Sequence, residues 1–248
     1  MSFKVYIATE YYFPLFFQST LSASPLRSGI LLLPIIVTET LTSILSGLTI
    51  HRTGAYRPLI YAGTVLLVIG TSLYTNISAT SSVASIVGFE IIAGLGAGLL
   101  FSPPLIALQA NVEQEDTATA TSTMGFVKKL ATCLSVVLGG VIFQNGMEGR
   151  SKDLVNAGLD RNITSLLTGG QAAANVMLIG TIEDPMKQMV VKEAFAGSIR
   201  YIWILCAVMA GCAVICSGFV KPRVLSDVHV ETRTGLIGDQ KEGDGVAR

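Results

Sequence analysis

Gly47-Leu48-Thr49-Ile50-His51-Arg52-Thr53-Gly54-Ala55-Tyr56-Arg57-Pro58 is a short basic turn between two long apolar runs, Ile30–Ile50 and Pro58–Thr75. Each run is about as long as the roughly 20 residues a helix needs to cross a bilayer. The connector is too short for anything but a tight reversal, and glycine stands at both of its bends. The stretch therefore predicts two transmembrane helices joined by a cationic hairpin.

Composition supports a membrane chain throughout. Half of the 248 residues are hydrophobic, only 14% are charged and mean hydropathy is +0.60, values outside the range of a soluble domain. A formal net charge of zero, with no basic-aromatic patch, gives no footprint for nucleic acid. Cys133, Cys206, Cys212 and Cys216 all lie in apolar runs and read as packing residues. Cys212 and Cys216 share a helix face at i,i+4, but no His or carboxylate lies near them in sequence to complete a metal set. Lys4 followed by Val5–Phe17 loosely resembles a signal peptide. Glu10, Pro14 and the bulky aromatics argue against that reading.

Six membrane segments are predicted: Val5–Phe17, Ile30–Ile50, Pro58–Thr75, Val83–Leu108, Met124–Phe143 and Tyr201–Val220. The first spans only about 20 Å at helical rise and reads as the end of a truncated helix. Residues 1–223 form the membrane domain and 224–248 a polar, disordered cytoplasmic tail. Between them, 144–200 is a long loop with two short amphipathic helices, Leu154–Leu167 and Asp184–Ala196. His51, Arg52 and Arg57, then Lys128 and Lys129, then Lys221 and Arg223, fall on one side, and the opposite short loops carry only Arg27. The positive-inside rule puts the hairpin and the C-terminus in the cytoplasm and the long loop outside. The sequons at Asn162 and Asn76 then both lie outside, Asn162 deep in the long loop and Asn76 close to the membrane. Lys128 and Lys129 are expected to snorkel to lipid phosphates.

At the hairpin the sequence resembles a known family. Gly47, Arg52, Gly54, Tyr56 and Arg57 fit the spacing of the major facilitator loop signature, Gly-x3-Asp-Arg-x-Gly-Arg-Arg, with His51 in place of the Asp and Ala55 in place of one Arg. Such decay is typical of the signature's second copy. Tyr11–Gln18, Ala23–Gly29, Leu32-Leu33-Pro34, Ile92–Gly98, Gln109-Ala110, Gly139–Asn145 and Glu231–Leu236 are similar to the fungal fourteen-helix drug:proton antiporters. The resemblance implies an all-α polytopic bundle, the C-terminal half of a major facilitator fold, without its first eight helices. It further implies proton-coupled efflux of small organic molecules (drugs, toxins or secondary metabolites), with Gly47, His51, Arg52, Gly54 and Arg57 as a cytoplasmic gating hairpin. There the small residues would allow close helix approach. The plasma membrane is the expected location, the vacuolar membrane the alternative.

Glu39 near the centre of its helix and Glu90 about 10 Å from the end of its own are the sharper leads. An ionised carboxylate there is costly, so each is neutral much of the time or faces a polar partner, as proton coupling requires. Glu10 is a third candidate. Gly94 and Gly98 read as a small-x3-small seam rather than a dinucleotide loop, since the third fingerprint position is Leu99. Pro103 and Pro104 predict a kink. Tyr11, Tyr12 and Phe89 are candidate cavity-lining aromatics. With His51 and His229 the only histidines, no catalytic, metal or cofactor constellation assembles, and the chain reads as a non-enzyme. The expected partners are lipid, a small organic substrate, protons, and either the missing N-terminal half or a second copy. A rival expectation is a truncated non-transporting fragment, a self-associating half-transporter or an interaction subunit.

Overall fold

Gly54 ends the first long helix of the hairpin by taking φ +65, and its amide donates to the Ile50 carbonyl at 2.8 Å. A left-handed residue at that position closes the carbonyls a helix leaves open, and glycine adopts it without steric cost. Pro58 then sits in the first turn of the next helix, where its missing amide costs nothing. The turn predicted from the sequence is therefore built by its own residues.

The computed structural model describes residues 2–219, with side chains from Thr9 onward. The predicted tail, with His229 and Glu231–Leu236, lies outside the described residues. Among the described residues all regular elements are helical: α1 (Ser2–Thr20), α2 (Pro25–Leu31), α3 (Leu33–Thr53), α4 (Arg57–Tyr74), α5 (Val83–Leu99), α6 (Pro103–Gln109), α7 (Thr117–Gly149), α8 (Ser151–Asn156), α9 (Arg161–Leu167) and α10 (Pro185–Ser217). Short 3-10 turns at Gln114–Asp116, Gly169–Gln171 and Val176–Thr181 complete the connections.

Five of the helical stretches are long and apolar enough to cross a membrane: Pro25–Thr53, Arg57–Tyr74, Val83–Gln109, Gln114–Asn156 and Pro185–Ser217. Six were expected. The first, α1, has the length at 19 residues, but Glu10, Tyr11, Tyr12 and Gln18 dilute its hydropathy. It packs inside, against α7 and α10.

Three boundaries differ from the sequence expectation. The second span begins at Pro25 rather than Ile30, because the Ser24 side chain caps the amide of Arg27 and Pro25 opens the helix. The chain steps at Leu32, where Pro34 cannot donate one turn back. The fifth span begins at Thr117 rather than Met124. Its polar Thr/Ser run stays helical because Ser122 and Thr123 each donate to the carbonyl four residues back at 2.8 Å. The sixth begins at Pro185, so the separate helix expected over Asp184–Ala196 is the first part of α10. Gly197 alone is too weak a breaker to divide it, at about 1 kcal/mol. At 33 residues, α10 is about 50 Å long.

In the loop, the helix expected over Leu154–Leu167 is two, α8 and α9, divided where Gly158 takes φ +83.

Helix order in space runs α3, α5, α4, α10, with α1 and α7 beyond α10 and also packed on each other. Two cores result. One gathers Tyr12, Phe13, Phe16, Phe17, Tyr74, Phe143, Phe195 and Trp203, and extends through Met147 into Leu154, Leu167 and Ile179 of the long loop, which is folded onto the bundle. The other holds Ile35, Ile50, Tyr56, Ile60, Leu67, Leu100 and Ala210 toward the hairpin end.

Glycine sets the spacing of the α3, α5, α4 group. At 3.6 residues per turn, Gly94 and Gly98 share one face of α5 and Gly96 takes the opposite one. A Cβ on Gly94 would lie 2.9 Å from the Ile35 carbonyl oxygen, and one on Gly98 would lie 2.5 Å from that of Glu39. A Cβ on Gly96 would instead meet the Leu67 amide nitrogen at 2.5 Å. On α4, Gly70 approaches the Ala93 backbone in the same way, at 2.6 Å. Helix α5 is thus clasped from both sides by backbone.

Candidate functional site

Glu90 is completely buried on α5, and neither of its carboxylate oxygens has a hydrogen-bond partner. Two further buried polar groups of the same core are also unpartnered, the Tyr74 hydroxyl and the Trp203 indole nitrogen. Their rings stand 6.0 Å apart, and Phe13 packs against both, at 5.0 Å from Tyr74 and 5.7 Å from Trp203. Glu90, Glu10 and Cys206 all act electrostatically on the Tyr74 hydroxyl, and the Cys206 and Thr9 side chains are hydrogen-bonded. Helices α1, α4, α5 and α10 therefore converge on one polar cluster inside an aromatic wall. Unsatisfied buried groups are rare in folded proteins and mark places where a proton, water or ligand completes the set.

Of the three predicted carboxylates, the structure brings Glu90 and Glu10 to this cluster. Glu10 is half-buried on α1. Glu39, also half-buried, stands on α3, its backbone pressed against Gly98. Tyr11 is exposed, and Phe89 is partly buried beside the aromatic core. Tyr12 is buried, donates to the Val136 carbonyl at 2.8 Å and lies over Gly139, which has no side chain to obstruct it.

At the hairpin, His51 and Arg52 are exposed and Tyr56 is buried. Arg57 turns back onto Tyr61, donating to its hydroxyl at 3.0 Å with the guanidinium 5.6 Å from the ring centre. Nothing lies within 4 Å of where the Cβ of Gly47 would be, so no helix among the described residues approaches closely there. Pro103 and Pro104 open α6 after a break at Leu100–Ser102, so the helix is divided rather than bent. Asn76 and Asn162 are both exposed, on the turn after α4 and in the first turn of α9.

A cavity of about 740 Å³ opens at the hairpin end, walled by Ile60 and Thr64 of α4, Leu108 of α6, Met124 and Lys128 of α7 and Ser217 of α10. None of the predicted site residues other than Pro104 borders it. Lys128 is half-buried there while Lys129 is exposed. The only sequence signal was a Lys-Lys pair inside an apolar run, which a 100° step per residue necessarily splits between two faces.

Comparison with known proteins decides the kinship. The chain is 36% identical to a protein named MFS-type transporter ppz2 of Metarhizium majus (strain ARSEF 297), over 94% of this chain and 40% of that relative. It is 32% identical to efflux pump dotC of Dothistroma septosporum (strain NZE10 / CBS 128990), over 96% of the chain and 40% of the relative. The chain belongs to the major facilitator superfamily. Its relatives include efflux pump FUS6 of Gibberella fujikuroi (strain CBS 195.34 / IMI 58289 / NRRL A-6831), 29% identical over 96% of the chain and 42% of that protein. This major facilitator chain spans about 40% of the length of the curated relatives it matches. No protein-family model matches the chain, and no solved structure matches it. It is an integral membrane protein, built from helices alone among its described residues.

Proposed function

We propose that the chain forms the C-terminal bundle of a proton-coupled exporter of small organic molecules, with Glu90 as the group that takes up and releases the proton. The observation that carries this reading is the Glu90 carboxyl, fully buried with both oxygens unpartnered and within electrostatic reach of the unpartnered Tyr74 hydroxyl. Charging such a group changes the energy of its surroundings by several kcal/mol, so its protonation and the packing of four helices are linked. The efflux pumps among the relatives support export as the direction. The cationic hairpin supports a cytoplasmic Gly47–Pro58 turn and C-terminus, with the plasma membrane as the working location.

Proteoliposomes holding the chain together with an N-terminal bundle from an efflux-pump relative test the proposal. Glu90→Gln abolishes dye efflux driven by an imposed proton gradient, Glu10→Gln reduces it, and Glu39→Gln leaves most of it. Unchanged flux in Glu90→Gln sinks the coupling assignment.

A second reading rests on the outer faces of the bundle. The membrane-spanning windows around α3 and α7 are only 17% and 11% buried, with Leu41, Ile44 and Leu48 exposed on one and Leu130, Leu134 and Val137 on the other. These stripes fit a partner bundle, either a second copy or the other half of a transporter, and without it the chain does not transport. Cys133 is exposed on α7. In a Cys212→Ser/Cys216→Ser background, copper-phenanthroline oxidation gives a covalent dimer through Cys133 if copies pair on this face. A monomer under the same conditions excludes self-pairing there.

A further inference from the structure

The cavity at the hairpin end is separate from Glu90, since the chain of α5 reaches it only at Leu100, about 15 Å along the helix axis from that residue. Its volume, about 740 Å³, is that of a pocket for a drug-sized molecule, and most of its wall is apolar. The charges along its edge are of both signs. Asp116 and Lys128 both border it, and Lys128 already has a partner within the chain. A guest with a net charge of either sign would meet a like charge as well as an opposite one, and would lose its hydration between apolar walls. Thr119 adds a hydroxyl at the same rim, exposed where water satisfies it. The remaining hydroxyls have one character. That of Thr64 donates to the Ile60 carbonyl at 2.9 Å, that of Thr123 to Thr119 at 2.8 Å and that of Ser217 to Val214 at 2.7 Å. Each hydrogen is committed to its own helix, so α4, α7 and α10 offer the cavity lone pairs. Thr64 and Ser217 are buried.

We infer that this cavity binds a neutral organic molecule with an apolar body and O–H or N–H donors, the donors being accepted by the hydroxyl oxygens of Thr64 and Ser217. The apolar body lies between α4, α6 and α7 and fills most of the volume. A guest that carries only ether or carbonyl oxygens is disfavoured, because it sets lone pairs against lone pairs. To donate to such a guest, Thr64 would have to give up its bond to Ile60, and the exchange gains nothing. Gln109 donates to Thr121 at 3.2 Å, tying α6 to α7 beside the cavity and keeping the walls in register. Glu90 takes no part in this site, so it stands whether or not that residue carries a proton.

Cys216 lines the cavity and is exposed, so its labelling by N-ethylmaleimide reports occupancy. The test uses the purified full chain in phosphatidylcholine nanodiscs, with Cys133→Ser and Cys212→Ser to remove the other exposed thiols. Gly125→Cys supplies a control thiol at the same end of α7, outside the cavity, where nothing lies within 4 Å of an added Cβ. The probe is oestradiol, a neutral diol with an apolar body, compared with its dimethyl ether and its monosulfate; peptide mass spectrometry reads the two thiols separately. Oestradiol slows labelling of Cys216 saturably and leaves the control thiol untouched. The ether and the sulfate each need about tenfold or more concentration for the same effect, the ether because an acceptor goes unmet and the sulfate because its charge is desolvated. Thr64→Val with Ser217→Ala brings the diol down to the level of its ether, whereas Thr64→Ser keeps the preference. Equal protection by diol and ether in the unaltered cavity overturns the inference, as does a sulfate that protects as well as the diol. Equal slowing of the control thiol also overturns it, since the effect then belongs to the bilayer. The comparison of diol with ether needs no cavity variant, so a misfolded double substitution does not rescue a failed result. The readout is occupancy alone, and a chain that fails to transport leaves it standing.

Discussion

Substituting alanine along α5 should separate backbone clasping from helix propensity, because the two act with opposite signs. At Gly88 nothing lies within 4 Å of the added Cβ, so Gly88→Ala gains about 0.5–1 kcal/mol of helix propensity with no steric cost. At Gly98 the same methyl meets the Glu39 carbonyl oxygen at 2.5 Å, the Thr42 Cβ at 2.7 Å and the Ser43 amide nitrogen at 3.0 Å. That is about 1 Å short of ordinary contact. Opening the seam by this much forfeits a quarter to a half of its dispersion energy. Overpacking of this kind costs about 1–3 kcal/mol, and the propensity gain offsets only part of it. Gly94→Ala falls between, since its nearest contacts are 2.9 and 3.2 Å. At about 2–4 °C per kcal/mol for a chain of this size, the order of melting temperatures is Gly88→Ala, unaltered chain, Gly94→Ala, Gly98→Ala. Thermal unfolding of a fluorescent-protein fusion in detergent, followed by size-exclusion chromatography, reads that order. A Gly98→Ala chain that melts with Gly88→Ala would refute the close approach of α3 to α5.

Three other substitutions probe distinct features. Gly54→Ala forces a side chain into φ +65 and should cost about 1–2 kcal/mol, with Gly54→Asn milder; the same melting assay ranks them. Tyr12→Phe loses one hydrogen bond, worth about 0.5–1.5 kcal/mol, whereas Gly139→Ala drives a methyl into the Tyr12 ring. Combining Gly139→Ala with Tyr12→Leu should recover stability relative to Gly139→Ala alone, and strict additivity in that cycle would deny the contact. Expressed in a fungal host, the chain should shift in mobility on treatment with peptide-N-glycosidase, and Asn162→Gln should remove the shift. Loss of the shift from Asn76→Gln instead would point to the membrane-proximal site.

Much of the fold was legible because its strongest signal is local. The hairpin could be read from Gly54 and Pro58, and each span except α1 from a long, predominantly apolar run. The extents of α7 and α10 were not legible. Thr and Ser score as polar in a sequence window, yet in α7 their hydroxyls bond to the helix's own carbonyls and expose little polarity. The stretch between Ala196 and Tyr201 was read as a gap, and no window shows that Arg150 packs over Gly197 within it. Beyond the amphipathic stretch at Leu154–Leu167, the loop from 150 to 184 carries little periodicity, and the tertiary gathering of Leu154, Leu167 and Ile179 explains its order. Of the site, Glu90 could be picked out because a lone carboxylate in an apolar run is conspicuous. Tyr74 and Trp203 carried no such mark: each is an ordinary aromatic of its helix, and their missing partners appear only when α4 and α10 meet. Lys128 and Lys129 were read together, and only the fold shows that the helix sets Lys128 at the cavity and Lys129 outward.

The unbroken run of α10 has a mechanical consequence. At about 50 Å it exceeds a hydrocarbon core of about 30 Å by several turns, and Val191 and Phe195 belong to the core shared with the loop helices while Ala213 and Ser217 border the cavity at the other end. The cap and the cavity are therefore two ends of one stiff mast. Tilting the mast at one end must swing the other, so a nanobody clamped on the cap would act as a brake on the cavity without touching it.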